Sequence, residues 1–141
     1  MAMHRAAQTL LGYHDFISYQ TTGSSRITTE RTVHEITVER QPSERLTKII
    51  VEVEADGFLY NMVRNIVGTL VQVGRGKRSE NFPAEVLAAK DRRKAGVTAP
   101  PQGLFLLSVE YDVPPLDAEG VTVTESVDDS DVEEEFFDEP A

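Results

Sequence analysis

The chain has 141 residues, 40% of them hydrophobic, with 14 Lys or Arg, 24 Asp or Glu, three His and no Cys. That length suits one domain around one core. The lack of thiols excludes disulfides, a thiolate nucleophile and cysteine zinc sites, and the three scattered histidines have no metal-ligand spacing, so no metal site is expected.

The net charge of −10 is unevenly placed: residues 114–141 carry eleven acidic side chains and no Lys or Arg, which leaves 14 basic and 13 acidic residues before them. Residues 1–113 are expected to form a nearly neutral folded domain. Residues 114–141 are expected to be an acidic disordered tail, with too little apolar surface to offset the entropy of ordering. No apolar run has the length of a membrane span and the N-terminus lacks the order of a secretory signal, so a cytoplasmic protein with no membrane partner is expected.

Met3, Ala6, Ala7, Leu10 and Leu11 recur at helical spacing before Gly12, which predicts a short amphipathic helix over residues 3–11. His14 and Asp15 follow, either as a polar pair at a site or as a hydrogen-bonded loop anchor, and residues 21–25 have loop composition. Ile36 and Val38 alternate with Glu35, Thr37 and Glu39, and Ile49, Val51 and Val53 alternate with Lys48, Glu52 and Glu54. With a turn at residues 41–44 between them, these are two antiparallel strands.

Residues 56–76 form the stretch around which the rest is arranged. Leu59, Met62, Val63, Ile66, Val67, Leu70 and Val73 mark a buried helical stripe. Asp56 is the expected N-cap and Gly74 the expected left-handed stop, giving a helix over residues 58–73 about 24 Å long. Its other stripe holds Asn61, Arg64, Gly68 and Gln72. Arg64 there is either a solvated charge or a functional one beside a glycine where another backbone or a ligand can approach.

Arg75, Lys77 and Arg78 make a basic turn, Pro83 opens a second short helix through Lys90, and Arg92, Arg93 and Lys94 continue the positive run. Such a cluster is either a solvated surface or a surface for a phosphate backbone. Residues 95–103 are loop by composition. Residues 104–111 begin with four apolar residues and then alternate, the pattern of a strand covered on both faces, in which Leu104 and Leu106 face either a helix or a pocket. Gly74-Arg75-Gly76 is a helix stop rather than a phosphate cradle, because no strand-to-helix turn surrounds it.

The run Phe58-Leu59-x-x-Met62-Val63-Arg64-Asn65-x-Val67-Gly68, then Val73-Gly74-Arg75-Gly76, Ala89-Lys90-Asp91-Arg92 and Thr98-Ala99-Pro100-Pro101-x-Gly103-Leu104-Phe105-Leu106, resembles the C-terminal half of the tRNA pseudouridine synthase A family. Ala6-Ala7, Leu10-Leu11-Gly12-x-His14-Asp15-Phe16 and Arg31-Thr32-Val33 extend the likeness upstream, so that it spans about residues 3–112. The resemblance implies an α+β fold, an antiparallel sheet with helices packed on one face. It also implies isomerisation of uridine to pseudouridine in the tRNA anticodon stem-loop, without metal or organic cofactor.

By the same resemblance Arg64 pairs with the catalytic aspartate and Leu104 packs against the target base. On their clustered charge, Arg75, Lys77, Arg78, Lys90, Arg92 and Arg93 are expected to bind the tRNA. The family's Gly-Arg-Thr-Asp-Ala-Gly-Val-His-type motif, which carries the aspartate, does not occur here; Arg31-Thr32-Val33-His34 shares letters with it but has no Asp after the threonine. The chain therefore reads as a half-enzyme, inactive alone, whose partners are tRNA, the N-terminal half of the enzyme and a second copy in a homodimer. The alternative is a non-catalytic RNA-binding or protein-interaction module derived from that fold.

Overall fold

The computed structural model describes residues 1–22 and 28–110. The tail expected over residues 114–141, part of the loop expected at 21–25 and the end of the strand expected over 104–111 lie outside these residues. Among the described residues the order is helix α1 (Ala2–Gln8), strands β1 (Gly12–Asp15), β2 (Glu30–Pro42) and β3 (Thr47–Ala55), then helices α2 (Met62–Gly74) and α3 (Phe82–Ala89). The architecture is α+β: an antiparallel sheet in the order β1-β2-β3, with the helices on one face.

Val33, Ile36 and Val38 of β2 are buried against the helices, and their partners Ala55, Val53 and Val51 on β3 are half-buried against the same core. Spacing of 33, 36 and 38 breaks strict alternation. The register shift between Val33 and Glu35 resolves it, because a bulge there puts all three side chains on one face. The other face carries Glu35 opposite Glu54 and Thr37 opposite Glu52. Ile49, expected inward, is 45% exposed because its end of the hairpin runs past the helices.

β1 pairs with β2 only as far as Gly12 opposite Val33. Beyond that point α1 occupies the edge of β2: Gln8 Nε2 donates to Ile36 O at 2.7 Å, and Val38 N donates to His4 Nδ1 at 3.1 Å. Two side chains of a helix thus satisfy backbone groups that would otherwise form an open strand edge. The other side of α1 buries Met3, Ala6 and Ala7 in the core.

α2 begins at Met62, four residues later than its apolar stripe suggested, and Asp56 does not cap it. Asp56 instead ties the end of the hairpin: its Oδ1 accepts from Thr32 N at 2.9 Å, and its own N donates to Thr32 O at 3.0 Å. With both groups engaged on β2, the helix starts after a turn in which Asn61 adopts a left-handed conformation, φ 60°. Gly74 is the last helical residue, and the left-handed position falls on Gly76, φ 77°. Lys77 N then donates to Gln72 O at 3.0 Å, closing the helix end.

The strand expected over residues 104–111 does not form within the described chain. The sheet ends in β1 and β3, and neither pairs with this segment. Phe105 and Leu107 are each 74% exposed in consequence.

Candidate functional site

Arg64 lies in the first turn of α2, half-buried, and is held from two directions. Its Nε donates to Ala99 O at 2.8 Å, while Ala99 N donates to Arg64 O at 3.1 Å. Its NH1 donates to Asn61 Oδ1 at 3.2 Å. Among the described residues the NH2 group makes no hydrogen bond, so the guanidinium is fixed at one side and keeps donors at the other.

The loop that carries Ala99 approaches α2 through two glycines. A side chain on Gly68 would collide with Val97 O, and one on Gly96 would lie 2.6 Å from Gly68 O. Only the missing Cβ atoms let the two backbones meet. The sequence left open whether another backbone or a ligand approaches at Gly68, and the backbone of Val97 occupies that place.

Asn65, the next residue on α2, is fully buried and hydrogen-bonded at both ends. Its Nδ2 donates to Tyr19 O at 2.8 Å and Thr21 Oγ1 at 3.3 Å. Its Oδ1 accepts from Thr98 Oγ1 at 2.6 Å and Arg92 NH2 at 3.0 Å. Thr21 Oγ1 also accepts from Asn61 Nδ2 at 3.2 Å, linking the two asparagines that flank Arg64. These polar residues were missed in the sequence, although an asparagine between Met62 and Ile66 of a buried stripe is itself a sign of a paired interior group.

The basic residues do not converge on Arg64. Arg75, Lys77 and Arg78 are exposed beyond the far end of α2, and Arg75 lies eleven positions from Arg64, about 16 Å along the axis. The Arg78 guanidinium stands 4.8 Å above the Phe82 ring. Lys90 takes the left-handed position after α3, φ 53°, and lines an open groove with His14, Asp15 and Leu87. Asp15 itself is a loop anchor, its Oδ1 accepting from Ile17 N at 3.1 Å and Thr29 Oγ1 at 2.6 Å.

Arg93 and Arg92 diverge. Arg93 is exposed and pairs with Asp91 at 3.1 Å; the hydrogen bonds from Arg93 hold the Asp91 carboxyl below its ordinary range. Arg92 is turned inward, with NH1 donating to Gly96 O at 2.9 Å and NH2 to both Asn65 Oδ1 and Thr98 Oγ1 at 3.0 Å. Leu104 is half-buried, five residues after Ala99, at the end of the single turn Pro101–Gly103. Among the described residues no group of His, Asp or Glu is placed to hold a metal ion, and no helix is long and apolar enough to cross a membrane.

The site is thus an α+β fold with an arginine clamped at the start of its central helix. The tRNA pseudouridine synthase family model matches residues 6–112, and the chain belongs to that family. It is 50% identical to tRNA pseudouridine synthase A of Thermoanaerobacter sp. (strain X514) over 109 residues, covering 77% of this chain and 43% of the relative. The proteins of the same name from Shewanella denitrificans and Acetivibrio thermocellus are each 45% identical, over 77% and 78% of this chain and 40% and 43% of their own lengths. The chain thus spans well under half of the curated relatives it matches.

Proposed function

We propose that this chain supplies the arginine-bearing half of a tRNA pseudouridine synthase that converts uridine to pseudouridine in the anticodon stem-loop. The observation that carries the reading is Arg64, clamped by Ala99 and Asn61 with its NH2 group left for a carboxylate. The N-terminal half supplies the catalytic aspartate. Arginine keeps its charge at any working pH and favours the ionised carboxylate, which then attacks or deprotonates as the glycosidic bond breaks. The ring rejoins the ribose through C5, whose proton is released.

Leu104 forms the apolar wall against which the extruded base docks, excluding water from the reacting bond. Arg75, Lys77, Arg78, Lys90 and Arg93 contact tRNA phosphates, and the reaction uses no metal or organic cofactor. The complete enzyme acts as a cytoplasmic homodimer, and this chain alone is inactive.

The test is to mix this chain with the N-terminal half of a tRNA pseudouridine synthase A and follow tritium release from C5-labelled uridine in tRNA. Release above that of either half alone is expected, and Arg64→Ala should abolish it with little change in tRNA affinity. A stable complex without release would instead leave a binding module. Charge reversal at Arg75, Lys77 and Arg78 should weaken tRNA binding and flatten its dependence on salt.

A further inference from the structure

We propose that Arg92, which charge alone groups with the tRNA-binding cations, is a positioning residue that sets Arg64 by latching residues 96–99 onto α2. The inference rests on the reading of Arg64 given above. Among the described residues the Arg92 side chain makes three hydrogen bonds, all inside the protein, and two of their acceptors, Gly96 O and Thr98 Oγ1, belong to the loop that delivers Ala99 O to Arg64 Nε. The third acceptor, Asn65 Oδ1, is on α2, in the residue next to Arg64. One planar guanidinium therefore bridges helix and loop beside the Arg64–Ala99 bonds in sequence.

Asn65 extends the latch in the other direction. Through Thr21 Oγ1 it reaches Asn61, whose Oδ1 receives Arg64 NH1. The two groups that grip Arg64 are thus joined to each other through Asn65, and Arg92 holds the loop end of that chain. Rotation of Arg64 breaks its bond to Ala99 O, and the loop that presents this acceptor is also held where Gly96 N donates to the buried Thr69 Oγ1 at 2.9 Å. Lysine cannot replace this arrangement, because its ammonium lacks the fork that reaches three acceptors in one plane.

Two variants test the latch. Arg92→Lys keeps the charge but loses the fork, and Thr98→Val removes only the hydroxyl between Arg92 and Asn65. In ¹⁵N-labelled chain, both should speed hydrogen exchange of Arg64 Nε–H by about tenfold or more, while Ile66 and Leu70 backbone amides stay protected. In the mixture with the N-terminal half, both should lower kcat roughly ten- to a hundredfold and leave KM for tRNA unchanged, as expected when a reacting group is misplaced.

Unchanged Nε–H exchange and full turnover in Arg92→Lys would overturn the proposal and return Arg92 to the phosphate-binding set, for which a retained charge suffices. Loss of α2 amide protection in both variants would also overturn it, leaving a purely structural role. Failure of the underlying reading looks different: there Arg64→Ala itself retains turnover.

Discussion

Gly68, in the middle of α2, and Gly76, just past its end, separate two uses of glycine. Gly68→Ala places a methyl group against Val97 O, a backbone atom held by the loop's own hydrogen bonds, and should cost about 1–3 kcal/mol by urea denaturation. Gly76→Ala meets nothing within 4 Å but must hold φ 77°, so its cost should be about 1–2 kcal/mol, and Gly76→Asn should recover part of it. Asn65→Ala has a larger expected effect on the same measurement. It removes the acceptor of Arg92 and Thr98 and the donor to Tyr19 O from a fully buried position, and about 2–3 kcal/mol should be lost.

At the scale of elements, the sheet holds a pairing that works against it. Glu35 lies directly opposite Glu54 on the face away from the helices. Glu54→Lys turns a like-charge pair into an opposite one and should raise stability by about 0.5–1 kcal/mol, an increase that added salt diminishes. The link between α1 and the segment before α3 responds to pH. The Glu80 carboxyl lies below its ordinary value because Arg5 donates two hydrogen bonds to it, at 3.0 and 2.7 Å. A carboxyl depressed on folding stabilises above its unfolded value and loses that contribution as pH falls through the folded value. Acid titration of stability should therefore show a small loss below the ordinary Glu range, small because both side chains are exposed, and Glu80→Gln should remove it.

The helices and strands themselves were legible because their causes are local. Period-two alternation marked β2 and β3, and the apolar stripe from Leu59 to Val73 marked α2, but its buried face is shifted: Val63 and Val67 are only half-buried, while Asn65, Gly68 and Thr69 are buried. The start of α2 was not legible, since the Asp56 carboxylate faces a choice between capping a helix and binding Thr32 N, and the hairpin's end decides it. β1 was missed for a similar reason: four residues with a glycine, Gly12–Asp15, form a strand only because β2 is there to pair with them.

For the molecule as a whole, the segment after residue 103 sets the expected behaviour in solution. Phe105, Leu106, Leu107 and Val109 are all exposed, with no described strand beside them. The chain alone should self-associate as concentration rises in sedimentation velocity runs, and Phe105→Ser with Leu107→Ser should shift it toward monomer. A wild-type chain that stays monomeric at high concentration would show that these side chains find cover elsewhere.

The sequence by itself determined the central helix, the alternation of the paired strands and the family motifs around Arg64, because each depends on residues near one another in the chain. Tertiary structure alone decided which arginines face inward. Arg92 and Arg93 are adjacent and carry the same charge, yet Arg92 bridges Asn65 and Thr98 while Arg93 pairs at the surface with Asp91. Their sequence neighbours do not distinguish them; their acceptors do, and those come from a helix 27 residues away and a loop that the glycines Gly68 and Gly96 bring into reach.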